Sequence, residues 1–69
     1  MEFQLENNEY IELNRLLKLL GLVESGGQAN MFITEGQVQV NGKTEYRKRN
    51  KLREGDVVLF MEQEVKIVP

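Results

Sequence analysis

Positive charge is concentrated in one short stretch of this 69-residue chain. Six of the nine Lys and Arg residues lie between positions 43 and 53, where Glu45 is the single acidic residue before Glu54. The six are Lys43, Arg47, Lys48, Arg49, Lys51 and Arg53. The net charge of −2 therefore hides a basic segment on an acidic body. Such asymmetry is expected where one face meets a polyanion, and the plain alternative is a solvated charge run.

Catalytic and metal chemistry has little support in the composition. The chain contains no Cys and no His, which removes thiol nucleophiles, Cys or His metal ligands and the usual general base. Glu54 and Asp56 flank a glycine in a predicted turn, and Asp56 is the only Asp, so no Asp-rich loop offers a site for a hard cation. The sequence predicts a protein that is not an enzyme and uses neither cofactor nor metal.

The length allows one small domain, residues 1–69, in which nearly every large apolar side chain is needed for the core. The longest nearly apolar run, residues 16–23, is interrupted by Lys18 and Gly21 and is far below the roughly 20 residues that cross a bilayer. No signal peptide is visible after Met1, so we expect a cytoplasmic protein with no membrane partner.

Two short helices are predicted upstream of the basic segment. The first carries one apolar stripe, formed by Leu13, Leu16, Leu17 and Leu20. Gly21 closes this helix, and Arg15 and Lys18 project from its opposite side toward water or a ligand. Ser25 begins the second helix through a capping box with Gln28. Ala29, Phe32 and Ile33 form its apolar face, and Gly36 ends it.

Strand signals surround the helices. Asn41-Gly42 predicts a tight type I′ turn between a strand at Val38 and Val40 and a return strand over residues 43–46. Residues 47–51 are too charged for a buried strand and are predicted to form an exposed loop. Short strands are also predicted at Phe3 and Leu5, ending at Asn7 and Asn8, and at residues 57–61 and 65–68, with a turn at residues 62–63. The predicted fold class is α+β, a two-helix hairpin packed on a small, mostly antiparallel sheet.

The residue string from Ser25 to Asp56 resembles the RNA-binding domain first defined in ribosomal protein S4, also called the alpha-L motif. The matching residues are Ser25, Ala29, Ile33, the segment Gly-Gln-Val-Gln-Val-Asn-Gly at 36–42, and Gly55-Asp56. The similarity covers residues 11–61, and segments 24–29 and 47–49 also resemble stand-alone bacterial proteins of the YbcJ type. The resemblance implies that the helical hairpin and the adjoining turn dock on folded RNA.

The chain departs from this family at two positions. Members usually carry Arg directly after the Ser and directly after the Ala, where this sequence has Gly26 and Asn30. The backbone N–H groups at Ser25, Gly26 and Gly27 remain able to receive a phosphate oxygen. Gln28 and Asn30 can add hydrogen bonds.

The predicted partner is structured RNA of the ribosomal or transfer RNA type, contacted through the basic loop and the start of the second helix. The predicted RNA-binding residues are Arg15, Lys18, Ser25, Gly26, Gly27, Gln28, Asn30, Asn41, Gly42, Lys43, Arg47, Lys48, Arg49 and Lys51. Arg53 is expected to form a local ion pair with Glu54 or Asp56 instead. The alternative is a protein-interaction module whose basic loop meets an acidic ribosome-associated or assembly-factor partner. The acidic overall charge and the two missing arginines favour that alternative.

Overall fold

The computed structural model describes residues 1–69, and both predicted helices are present. Helix α1 spans Leu13–Leu19, and helix α2 spans Gly26–Thr34. Ser25 is the N-cap of α2, and its Oγ accepts a hydrogen bond from the Gln28 amide at 3.1 Å. Gly21 and Gly36 follow the two helices with φ of +72° and +80°, a region in which side chains with a Cβ are strained. The predicted helical hairpin is confirmed.

Seven short strands complete the fold. They are β1 (Glu2–Gln4), β2 (Ile11–Glu12), β3 (Val38–Val40), β4 (Lys43–Thr44), β5 (Lys51–Leu52), β6 (Val57–Phe60) and β7 (Gln63–Val68). Five of them form one sheet in the order β1-β7-β6-β3-β4, in which only the β1–β7 pair is parallel. Strands β2 and β5 pair separately and antiparallel. The predicted α+β class with a mostly antiparallel sheet is confirmed.

The predicted tight turn lies between β3 and β4. Asn41 and Gly42 both have positive φ, +52° and +83°, as a type I′ turn requires. The Asn41 side chain also ties this turn to a second one, because its Nδ2 donates to Asp56 Oδ1 at 3.0 Å and its Oδ1 accepts from the Val57 amide at 2.9 Å. Two distant turns are therefore joined by one carboxamide.

Three strand predictions need correction. The return strand ends at Thr44 and does not reach Tyr46. Lys51, which the charge pattern assigned to the loop, forms a strand with Leu52 that pairs with β2, because Leu52 is fully buried beside Ile11. The last hairpin turns at Met61 and Glu62, one residue earlier than predicted, and both have positive φ although neither is Gly or Asn.

The core is one apolar cluster with no buried polar side chain. Its fourteen members are Leu5, Ile11, Leu13, Leu16, Leu17, Val23, Ala29, Ile33, Val38, Leu52, Val58, Phe60, Val65 and Ile67. Phe32 of α2 packs against Phe60 of β6 with ring centroids 5.2 Å apart. Neither helix has the length and apolar character needed to cross a bilayer. The charged segment therefore lies at the surface of a domain whose buried side chains are all apolar.

Candidate nucleic-acid interface

In the structure the basic loop spans residues 45–50, because β4 ends at Thr44 and β5 begins at Lys51, and backbone hydrogen bonds fasten it to the helical hairpin. The Leu13 amide donates to the Asn50 carbonyl at 2.9 Å, and the Asn14 amide donates to the Lys48 carbonyl at 3.0 Å. These donors are the first N–H groups of α1, which have no acceptor within the helix. The Asn14 side chain then donates to Asn30 Oδ1 of α2 at 3.0 Å. The loop therefore crosses the start of α1, and the Asn14 side chain links this crossing point to α2.

The same loop borders an open cleft beside the Asn41–Gly42 turn. The cleft encloses about 470 Å³, and eight of its nine lining residues are polar or charged. They are Asn41, Lys43, Thr44, Glu45, Arg47, Asn50, Lys51 and Asp56. We call this opening the basic cleft. It brings together the turn and three of the cations that the sequence predicted as RNA-binding residues.

Two of the loop cations already have carboxylate partners. Arg47 forms two hydrogen bonds with Glu45, from Nε at 2.9 Å and from Nη2 at 3.0 Å. Arg49 Nε lies 3.0 Å from Glu12 Oε2. The arginine side chains remain 75% and 78% exposed, whereas those of Glu45 and Glu12 are 15% and 26% exposed, so each pair lies at the surface with its guanidinium in water. Ion pairs at the surface are generally weak. Neither Lys43 nor Lys48 forms an ion pair.

The Arg47–Glu45 pair shifts the protonation of both groups. The Arg47 guanidinium lowers the pKa of the Glu45 carboxyl, mainly by side-chain hydrogen bonding. The carboxylate in turn raises the pKa of Arg47. The pair is therefore fully ionised at neutral pH, and a phosphate that binds Arg47 has to compete with Glu45.

The expectation for Arg53 is wrong. Asp56 accepts from the Arg53 backbone amide at 2.8 Å and from Asn41 Nδ2, so its two oxygens serve the turns. The Arg53 guanidinium makes no ion pair and lies 5.6 Å from the centroid of the Tyr10 ring. Lys51 Nζ lies 4.9 Å from the same centroid. Sequence reasoning missed Tyr10, because only the β2–β5 pairing brings residue 10 beside residues 51 and 53.

The start of α2 offers donors and no charge. Ser25 Oγ is occupied by the cap, whereas the N–H groups of Gly26 and Gly27 donate to no atom of the chain. Gln28 Oε1 accepts from the Glu24 amide at 2.6 Å, and Asn30 Oδ1 accepts from Asn14. The side-chain nitrogens Gln28 Nε2 and Asn30 Nδ2 remain without acceptors. Donors without acceptors are what an incoming phosphate oxygen needs.

Two other predicted residues lie apart from the basic cleft. Arg15 and Lys18 are exposed on α1, and neither lines that cleft. Arg15 instead lines a larger opening of about 1010 Å³ together with four glutamates. Those glutamates are Glu2, Glu6, Glu9 and Glu12. Arg49 lines this larger opening as well, so the structure brings Asn41, Lys43, Arg47 and Lys51 to the basic cleft and places Arg15 and Arg49 beside the glutamates.

Comparison with known proteins gives concordant matches. The family model of the S4 domain matches residues 3–68. The chain is 47% identical over 66 residues to the "Putative RNA-binding protein YbcJ" of Escherichia coli (strain K12), covering 96% of this chain and 94% of that protein. It is 42% identical over 52 residues to the "Probable ribosome maturation protein RlbA" of Bacillus subtilis (strain 168), covering 75% of this chain and 73% of that protein.

A solved structure is similar over nearly the whole chain. The solution structure of YbcJ from E. coli, described as revealing an alpha-L motif involved in RNA-binding, matches with a TM-score of 0.75 and 46% identity. The match covers 99% of this chain and 86% of that chain. The resemblance that was drawn from the motif string is confirmed.

Proposed function

Because the chain belongs to the S4 domain family, we propose that it is a non-catalytic protein that binds structured RNA of the ribosomal or transfer RNA type. The strongest support is the basic cleft, where the Asn41–Gly42 turn and the basic loop border one opening. Lys43, Arg47 and Lys51 converge there from β4, the loop and β5. Cations gathered along one surface suit a phosphate backbone, which requires charge and reach more than fixed geometry.

The proposed contacts differ in kind along this surface. Lys43 and Lys48 have no carboxylate partner and act as point charges toward phosphates. Arg47 and Arg49, whose side chains are exposed, exchange their largely covered partners Glu45 and Glu12 for phosphate oxygens, since a guanidinium matches both groups in the same two-pronged geometry. The N–H groups of Gly26 and Gly27 receive a further phosphate without any side-chain charge. Recognition of this type follows the shape of the RNA more than its sequence.

The relatives supply a cellular setting for the proposal. The Escherichia coli relative is named for RNA binding, and the Bacillus subtilis relative is named for ribosome maturation. We propose that the present chain acts on ribosomal RNA or its precursors. A cytoplasmic location follows from that proposal.

A protein-binding function is the second candidate. Arg47 and Arg49 already bind carboxylates in this structure, so the loop also has the geometry to bind Glu or Asp of an acidic ribosome-associated partner. Capture of the tagged protein with its partners, with and without nuclease, separates the two functions. RNA binding predicts that nuclease releases the ribosomal material, whereas a complex that survives nuclease favours the protein partner.

The salt dependence of binding tests the RNA proposal directly. If about four phosphates are neutralised, a plot of log affinity for transfer RNA against log salt has a slope of about −3. Lys48→Gln is expected to make this slope shallower by about one, because it removes one phosphate contact. The triple variant R47Q/K48Q/R49Q is expected to remove most of the slope.

Lys66→Gln provides the matched control. Lys66 is an exposed cation on β7, a strand that carries none of the proposed RNA contacts, whereas Lys48 belongs to the basic loop; the loss of Lys66 changes the net charge by the same amount as Lys48→Gln. We expect the slope of K66Q to equal that of the unmodified protein. Binding that ignores salt, or a K66Q defect as large as that of K48Q, would contradict the proposed surface.

A further inference from the structure

We propose that Tyr46 is a stacking platform for one unpaired RNA base. This role rests on the proposed RNA-binding function and deepens it, because it names unpaired nucleotides as what the basic loop recognises. No phosphate contact can make that distinction, since paired and unpaired nucleotides carry the same phosphate.

Tyr46 is the one aromatic ring of the chain that is both highly exposed and unpartnered. Its exposed fraction is 61%, whereas Phe60 is buried and Phe3 and Phe32 pack against the core. Tyr10, the only other tyrosine, is covered by Lys51 and Arg53. No cation and no second ring lies against Tyr46, and its hydroxyl makes no hydrogen bond within the chain. A ring with an exposed face and no partner within the chain is free to stack on a nucleotide base.

The ring is nevertheless held in place. A Cβ placed on Gly36 would lie 3.2 Å from Tyr46 Cε1 and 3.4 Å from its Oη, so the ring lies directly against the backbone that ends α2. The residues on either side are also fixed, because the Glu45 amide donates to the Val38 carbonyl and the Arg47 amide donates to Glu45 Oε2, each at 2.9 Å. One side of the ring rests on the Gly36 backbone, and the flanking backbone is held by hydrogen bonds. The Tyr46 side chain therefore loses little conformational entropy when a base stacks on its exposed side.

The position of Tyr46 in the loop suits a nucleotide. Arg47 and Lys48 follow it directly, and both are exposed. The Lys48 carbonyl anchors this part of the loop to Asn14 at the start of α1. A base on the ring therefore has cations beside it for its flanking phosphates. Bases that are unpaired expose the π-face that an aromatic side chain needs, and bases inside a duplex do not.

A pair of RNA stems tests the proposal. One stem carries a single bulged adenosine, and the other is the same stem with that adenosine paired to uridine. Loss of an aromatic platform lowers affinity by about tenfold or more for each stacked base. We expect the protein to prefer the bulged stem by about this factor, and Tyr46→Phe to keep the preference. Tyr46→Leu is expected to bind both stems equally, with the affinity for the paired stem and the salt slope unchanged.

Fluorescence gives an independent readout that needs no change at position 46. The chain has no Trp and two Tyr, so Tyr10→Phe leaves Tyr46 as the only tyrosine while keeping a ring for Lys51 and Arg53. Stacking of a base on Tyr46 is expected to quench the emission of Y10F with the bulged stem and not with the paired stem. Y46F, in which only Tyr10 emits, is expected to show no difference between the stems.

The outcomes separate this inference from the proposed function. Equal affinity of the protein for the two stems, or no selective quenching in Y10F, overturns the stacking role while leaving RNA binding intact. Failure of the unmodified protein to bind either stem overturns the proposed function and the stacking role together. The fluorescence result remains decisive even where Y46L does not fold, which a melting curve of that variant would reveal.

Discussion

At the scale of single residues, the basic loop holds its cations in two different states. Arg47 and Arg49 are paired with Glu45 and Glu12, whereas Lys48 has no carboxylate partner. A phosphate that binds an arginine of this loop has to displace a carboxylate, while one that binds the lysine displaces only water. Under the proposed function, the carboxylates therefore weaken phosphate binding at the arginines without abolishing it, because ion pairs at the surface contribute little free energy.

Removing the Glu45 charge is expected to strengthen RNA binding. Glu45→Gln releases the Arg47 guanidinium, and we expect the affinity for transfer RNA to rise about two- to fivefold at fixed salt. Glu64→Gln is the matched control, because Glu64 is an exposed carboxylate of β7 without an ion-pair partner. Equal gains in E45Q and E64Q would mean that only the net charge matters and not the pair.

The same pair predicts a dependence of stability on pH. The pKa of Glu45 is lowered in the folded state by its hydrogen bonds with Arg47, so the pair stabilises the fold at neutral pH. That contribution is present above the pKa of an unfolded glutamate and is lost as the pH falls through the lowered pKa. We expect E45Q to lack this contribution, so its free energy of unfolding should fall less at low pH than that of the unmodified protein. Urea denaturation curves recorded at several acidic pH values measure the difference.

At the scale of elements, two turns act as one unit. The Asn41 carboxamide joins the β3–β4 turn to the start of β6 through Asp56 and Val57. Asp56 also accepts from the Arg53 amide, so it serves the preceding turn as well. The Asn41–Gly42 and Gly55–Asp56 pairs are far apart in sequence, but these hydrogen bonds connect them at the edge of the basic cleft. We call this set of hydrogen bonds the clasp.

Breaking this clasp is expected to destabilise the fold. Asn41→Ala removes two side-chain hydrogen bonds and places a Cβ residue that favours right-handed conformations at φ +52°. We expect the free energy of unfolding in urea to fall by about 2 kcal/mol. Asn41→Gly keeps the conformational freedom and loses only the bonds, so a fall of about 1 kcal/mol is expected. Unchanged stability in N41A would show that the clasp contributes nothing.

At the scale of the whole molecule, a small apolar core supports a surface with segregated charge. Fourteen apolar residues are buried and no polar one, so stability depends on few side chains. Under the proposed function, the acidic remainder of the surface repels polyanions, and the basic cleft is the face that attracts them.

Two leucines of α1 test how strongly the free energy of unfolding depends on a single core side chain. Leu16 is fully buried, and Leu19, one turn later, is 56% exposed. Leu16→Ala is expected to cost about 3 kcal/mol, most of the stability of a domain this small. Leu19→Ala is expected to change it by less than about 0.5 kcal/mol. Urea denaturation followed by circular dichroism measures both, and similar losses in the two variants would contradict the described packing.

Local chemistry alone determined much of this protein. The leucine spacing of α1, the Ser25 cap, Gly36 and the Asn41–Gly42 turn each specify backbone conformation within a few residues, so the helices and the hairpin were predictable. The motif string from Ser25 to Asp56 was sufficient to indicate the family. The contiguous run of cations was sufficient to indicate a basic surface, because charge in one short segment stays together whatever the fold.

Tertiary structure decided what those residues contact. The Arg49–Glu12 pair joins residues 37 positions apart, and the cation–ring contacts of Tyr10 exist only because β2 pairs with β5. The turn at Met61 and Glu62 is imposed by the pairing of Phe60 with Gln63, which leaves two residues to close the hairpin and forces both into positive φ. Such contacts leave no local pattern in the sequence, because their energy comes from segments that meet only after the chain has folded.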